Sequence, residues 1–123
     1  MPRDAYLLHR EAIAALTDAN FYPIEWIDKQ VWSGAIRLLF NDTALGGYEL
    51  KTYPGGAREI HVMFAVGAMA GIIDLADALI AEGRLLGCHF ATVSSRKGWG
   101  KVLQSRGFAP HQYSVMKDLR DGD

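Results

Sequence analysis

Residues 58–117 read REIHVMFAVGAMAGIIDLADALIAEGRLLGCHFATVSSRKGWGKVLQSRGFAPHQYSVMK, and this stretch decides the fold. Glu59–Val66 is apolar nearly throughout, the pattern of a strand covered on both faces. Gly67 and Gly71 flank a bend. Ile72, Ala76, Leu79 and Ile80 then share one helical face, with Asp74, Asp77 and Glu82 off it. Gly83 or Gly87 ends that helix. Cys88–Val93 reads as a second strand, and a helical crossover makes it parallel to the first. Ser94 or Ser95 can cap a short basic helix whose inner face is Trp99, Val102, Leu103 and the stem of Arg106. Gly107 stands where a left-handed cap is needed, with Phe108 as its apolar contact. Ala109, Tyr113 and Val115 suggest a last strand.

Upstream, Asp4 can cap a helix running to about Asp18, with Leu8, Ala12, Ala15 and Leu16 on one face. Asn20 ends it. Pro23 suits the first position of a shorter helix, in which Ile24, Ile27 and Val31 recur at helical spacing and which Gly34 closes. Trp26 and Trp32 cannot both join that face, so at least one is exposed. Ile36, Leu38 and Phe40 alternate as a strand, Asn41-Asp42 turns, and Tyr48–Tyr53 alternates again. Tyr53-Pro54-Gly55-Gly56 is a turn signal leading into the strand from Glu59. The expected order is α-α-β-β-β-α-β-α-β, a mixed sheet with helices on both faces.

A chain of 123 residues with 50% hydrophobic and 22% charged residues is ordinary globular material, enough for one domain over 1–123. No repeat or linker interrupts it. A net charge of −1 argues against a general nucleic-acid binder. Cys88 is the only cysteine, so no internal disulfide forms, and a reducing, cytoplasmic setting is expected. No signal peptide is expected, and the apolar stretch Ile60–Ile73 is too short to span a bilayer. His9, His61, His89 and His111 have no metal-ligand spacing, so no metal is expected. Cys88 and His89 are strand neighbours facing opposite ways and cannot pair as nucleophile and base.

The bend at Gly67–Gly71 has two readings. Free N–H groups at the helix start can hold an anion. The same glycines suit a plain turn packed closely. Likewise Arg96, Lys97, Lys101 and Arg106 either meet phosphate or form a solvated face. Glu59 and His61 share a strand face, where a base could take a proton from an attacking amine, or where a hydrogen-bonded pair could simply rest. Phe21, Tyr22, Trp26 and Trp32 cluster around the second helix, lining a pocket, a subunit contact or the core.

The element order resembles the GCN5-related N-acetyltransferases. The most specific part is the end: strand Cys88–Val93, helix Arg96–Arg106, Gly107-Phe108 and Met116-Lys117-Asp118-Leu119. Glu59-Ile60-His61-Val62 followed by glycines is also similar to short acetyltransferase-like proteins of bacteriophages. The resemblance implies an α/β (mixed-sheet) acyl-CoA N-acyltransferase fold lacking the first strand. It differs in other ways. The loop Val66-Gly67-Ala68-Met69-Ala70-Gly71 has no Arg or Gln at its start. Leu103 stands where many members carry a tyrosine acid. Few residues follow Phe108.

This resemblance implies acetyl-CoA as cosubstrate, held by Phe64, Ala65, Val66, Gly67, Ala68, Met69, Ala70 and Gly71, with Ser95, Arg96, Lys97 and Lys101 beside its phosphate and adenosine end. The two parallel strands are expected to part just past Val66 to make the slot. Glu59 or His61 would accept the proton of an amine acceptor, small molecule or peptide, and Tyr113 is offered as the replacement acid. The implied activity is N-acetylation by direct transfer. The alternative is a catalytically degenerate protein of the same fold, serving as a protein-interaction or virion-associated module. A further alternative is a ligand sensor that self-associates, for example as a homodimer.

Overall fold

The computed structural model describes residues 2–94, 102–111 and 114–120. Helix α1 (Pro2–Leu16) and helix α2 (Ile24–Ser33) precede strands β1 (Arg37–Phe40), β2 (Ala44–Thr52) and β3 (Arg58–Gly67). Helix α3 (Met69–Leu85) crosses over to strand β4 (Phe90–Val93). The strands lie in the order β1-β2-β3-β4; the first two pairings are antiparallel and β3–β4 is parallel, as the crossover requires. No helix of the described residues is long and apolar enough to cross a membrane.

Two apolar cores sandwich the sheet. Tyr6, Ile13, Ile27, Ile36, Leu45, Phe64 and Val66 pack under α1 and α2. Tyr48, Ile60 and Leu79 pack under α3. Ile60 and Val62 belong to the α3 side, but Phe64 and Val66 belong to the other. A regular strand would put all four on one face. The β-bulge that explains the switch lies in β3: Tyr48 pairs with Val62, and Gly47 pairs with Phe64, leaving Met63 as the extra residue. The switch also accounts for a strand that is apolar almost throughout. Phe64 then lies over Gly47, where any Cβ would fall 2.3 Å from the ring.

Helix α1 turns a different face inward than the spacing predicts. Leu8 is 78% exposed, whereas Tyr6 and Ile13 are fully buried. The rotation follows from what α2 offers. The Tyr6 hydroxyl donates to Asp28 Oδ1 at 2.6 Å, Arg10 forks onto the same carboxylate at 3.0 and 2.8 Å, and the Tyr6 ring meets Trp32 edge-on. A buried tyrosine needs a partner for its hydroxyl, and this rotation supplies one in Asp28. The helix also starts at Pro2, so Asp4 sits in its first turn and not before it, and it ends at Leu16, short of Asn20.

Other boundaries move for local reasons. Pro23 flanks α2 and is not its first residue. Gly34 closes α2 as expected, and both Trp26 and Trp32 are more than a third exposed. β2 begins at Ala44 because Asn41 Oδ1 accepts from the N–H groups of Thr43 and Ala44, folding a tight turn straight into the strand. β4 starts at Phe90 because the Cys88 N–H caps α3 by donating to Gly83 O. The chain after Val102 ends in a tight turn, Gln104–Arg106, then Gly107 at φ 86° with Phe108 N–H reaching back to Leu103 O. That is the cap expected there. Trp99 lies outside the described residues.

The last strand is not formed among the described residues. Val115, Met116 and Leu119 are each about 80% exposed, and Asp118 and Arg120 bond each other locally at 2.7 Å. Alternation assigns faces, but a strand exists only where a neighbour completes the ladder.

Candidate functional site

β4 pairs with β3 only from Glu59↔Phe90 to Val62↔Val93, closing with a bond from Ser94 N–H to Val62 O. β3 runs on to Gly67. The two strands thus part at the bulge, four residues earlier than the expected parting past Val66. Among the described residues no strand covers Met63–Gly67 on that side, so the backbone groups that β3 turns toward it have no strand partner there. A cavity of about 740 Å³ occupies it. Its walls include Met63–Gly67, Ile72 and Leu75 of α3, Ala12 and Leu16 of α1, Tyr22, Ser94, Leu103 and Phe108. None of its described lining residues is charged. Ala12 and Leu16, expected in the core, line this wall, while Ala15 is exposed.

The bend beyond β3 is tighter than expected. Gly67 adopts φ +117°, where a Cβ would lie 2.2 Å from Thr43 O. A Cβ on Gly71 would lie 2.2 Å from Thr43 Oγ1. Asn41 Nδ2 donates to Gly71 O, and Ala68 N–H donates to Thr43 O at 3.0 Å. Close packing on the Asn41–Ala44 turn therefore accounts for both glycines, and the Ala68 amide is already used. What remains for a ligand is the first turn of α3: Met69, Ala70 and Gly71 have no acceptor within the helix. Met69 is half-exposed and Gly71 buried. Phe64 and Val66 place their side chains in the core and offer a ligand only their backbone.

Glu59 and His61 come together, linked through Thr92, Tyr53 and Ser94, none of which the sequence analysis assigned to the site. Glu59 is 7% exposed. Tyr53 Oη donates to its Oε1 at 2.6 Å, and Thr92 Oγ1 donates to its Oε2 at 2.5 Å. His61 Nδ1 lies 2.7 Å from Thr92 Oγ1 and 3.5 Å from Glu59 Oε2, and Nε2 lies 3.0 Å from Ser94 Oγ. The proton count assigns the tautomer. Thr92 has one proton and a carboxylate can only accept, so Thr92 must receive its second bond from His61 Nδ1–H. In neutral His61, Nε2 then accepts from Ser94. The chain runs Ser94 → His61 → Thr92 → Glu59 ← Tyr53.

Burial pushes the Glu59 carboxyl up, but the hydrogen bonds from Thr92 and Tyr53, with the fields of His61 and Lys51, outweigh it and hold it below the ordinary range. His61 is pushed down, first by burial and then by the Lys51 charge, against the pull of Glu59 and Glu49. Glu59 is thus ionised and His61 neutral near pH 7. The register explains the contact: His61 pairs with Thr92 and Val62 with Val93, so Ser94 follows one step on. The hairpin Tyr53–Ala57, closed by Tyr53 N–H to Ala57 O at 2.9 Å, returns Tyr53 to Glu59.

Tyr113, Ser95, Arg96, Lys97 and Lys101 lie outside the described residues. Arg106 is described; its Nε approaches Asp77 Oδ1 of α3 at 3.4 Å. Leu103 is buried against the cavity, so no acid stands at that position. Among the described residues no group of three or more His, Cys, Asp or Glu side chains could hold a metal ion.

No protein-family model matches the sequence, and no curated protein matches it. Solved structures do match. An acetyltransferase of Trypanosoma brucei superposes with a TM-score of 0.66 at 18% identity, covering 90% of each chain. A predicted acetyltransferase of Clostridium acetobutylicum, solved with acetyl-CoA, gives 0.63 at 12% identity over 97% of this chain and 86% of that one. Glucosamine-6-phosphate N-acetyltransferase of Arabidopsis thaliana gives 0.63 at 12% identity over 89% and 88%. At these identities the likeness speaks to architecture: the chain has the fold of the GCN5-related N-acetyltransferases.

Proposed function

We propose that this protein transfers an acetyl group from acetyl-CoA to an amine by direct attack. The observation that supports this most is the edge of β3 that β4 leaves unpaired. It opens at Val62, beside a cavity that Ser94, the hydrogen-bond partner of His61, lines together with Gly67 and with Ile72 and Leu75 of α3. Open-edge amides suit the carbonyl-rich arm of the cosubstrate. The amides of Met69, Ala70 and Gly71, with the helix field behind them, suit its pyrophosphate. Ser95, Arg96, Lys97 and Lys101 are proposed to meet the phosphate and adenosine end.

The amine, from a small molecule or peptide, would enter between Tyr22 and the α1 wall, where uncharged walls favour an apolar carrier. Its proton passes to His61 Nε2, directly or through the Ser94 hydroxyl. Ionised Glu59 stabilises the resulting imidazolium through Thr92. Tyr113 is proposed as proton donor to the leaving thiolate, since Leu103 cannot serve.

Thermal melting and calorimetry with acetyl-CoA, CoA and buffer test the reading. A ligand that binds only the native form must raise the melting temperature. Absence of acetyl-CoA binding at millimolar concentration refutes it. Binding without thiol release across a broad amine panel instead favours the degenerate interaction module, a reading to which the missing loop Arg or Gln lends weight.

A further inference from the structure

Ser94 is exposed, borders the cavity, and donates to a histidine whose other nitrogen is held by a hydroxyl bridged to a buried carboxylate. Direct amine transfer does not require that arrangement: a base alone would suffice. Nucleophile, base and orienting acid in hydrogen-bonded series are what activation of a serine requires. The acceptor nitrogen is held ready, because burial and Lys51 keep His61 neutral around pH 7. The pairing with β4 ends at Val62, whose carbonyl receives the Ser94 N–H, so the β3 amides beyond it have no partner on β4. They are the donors assigned here to an oxyanion.

We propose that Ser94 is a nucleophile and that the chain has a second, amine-independent activity: hydrolysis of activated acyl esters and thioesters. Ser94 Oγ forms a bond to the acyl carbon while its proton moves to His61 Nε2. The bond from the acyl carbon to the leaving oxygen or sulfur breaks, and the leaving group takes the proton from His61. Water then attacks the acyl-serine, giving a proton to His61. The serine ester bond breaks, Ser94 recovers that proton, and a carboxylic acid departs. Thr92 and Glu59 act as positioning residues through His61.

The test uses two probes that contain no CoA, so its failure is separate from a failure to bind acetyl-CoA. The full chain is treated with a fluorophosphonate and the label mapped by peptide mass, and p-nitrophenyl acetate hydrolysis is followed by absorbance. Label at Ser94, and a fall in hydrolysis on the order of a hundredfold in both Ser94→Ala and His61→Gln, are expected. Ser94 is exposed, and melting curves check that Ser94→Ala is folded. Thr92→Val should move the acid limb of the hydrolysis profile as well as lower the rate. Absence of label on the wild type, label at another serine, or unchanged hydrolysis in Ser94→Ala overturns the proposal.

Discussion

Thr92→Val isolates the bridge on which the site depends. Valine matches threonine in shape, so little cavity is left and the packing cost is small. What is lost is one hydroxyl with two bonds: a donation to Glu59 Oε2 at 2.5 Å and an acceptance from His61 Nδ1 at 2.7 Å. The first is charge-assisted, and such bonds contribute about 1.5–3 kcal/mol. Tyr53 still serves Oε1, and His61 Nδ1–H, already 3.5 Å from Oε2, can close part of the gap. A net destabilisation of about 2 kcal/mol at pH 7 is expected, a factor of roughly 30 in the folding equilibrium.

With a urea slope of about 2 kcal/mol/M, the midpoint should fall by about 1 M. The pH dependence carries a sign. The folded-state pKa of Glu59 is depressed, so its contribution is present above the unfolded value and disappears as pH falls through the folded one. In the variant, burial loses its main opponent and the carboxyl moves up. The deficit between variant and wild type should therefore shrink as pH falls from 7 to below about 4, the ordinary glutamate range. Urea titrations of both proteins at neutral and acid pH measure it. A deficit under about 0.5 kcal/mol at pH 7, or one that persists undiminished in acid, would refute the bridge.

Other perturbations bear on the rest of the frame. Gly67→Ala places a Cβ 2.2 Å from Thr43 O at φ +117°, so overpacking and strain together should cost about 3 kcal/mol, a drop of roughly 10 °C by calorimetry. Gly47→Ala drives its methyl into the Phe64 ring, and should cost about 1–3 kcal/mol in urea titration while circular dichroism still shows a mostly folded protein in water. Lys51→Met removes a positive field from His61, raising its pKa, so the acid limb of amine acetylation should move to higher pH in a stopped assay; movement to lower pH contradicts His61 as the base. Asp77→Asn breaks an exposed pair with Arg106 and should change stability by less than about 0.5 kcal/mol.

Much of the scaffold is written in local pattern. The meander from Ile36 to Val66, the crossover helix with Ala76 and Leu79 inward, and the cap at Gly107 follow from period, turn chemistry and backbone conformation. Each is set within a few residues, so the chain alone determines it. The pairing of Glu59 with His61 on one strand face is of the same kind, because a period of two is a local property.

The rest needed the assembled molecule. Whether α1 buries Leu8 or Tyr6 depends on Asp28, eighteen or more residues away, whose carboxylate accepts from both the tyrosine hydroxyl and Arg10. The bulge at Met63 is a mismatch between two strands, and neither strand encodes it alone. That mismatch moves the parting of β3 and β4 back to Val62 and sets where the cavity lies. Thr92 and Ser94 carry no motif; they join His61 only because parallel register aligns residues thirty-one and thirty-three positions apart. Period and turn chemistry thus reside in the sequence, whereas register, helix rotation and hydrogen-bond satisfaction are resolved only when distant segments compete for the same partners.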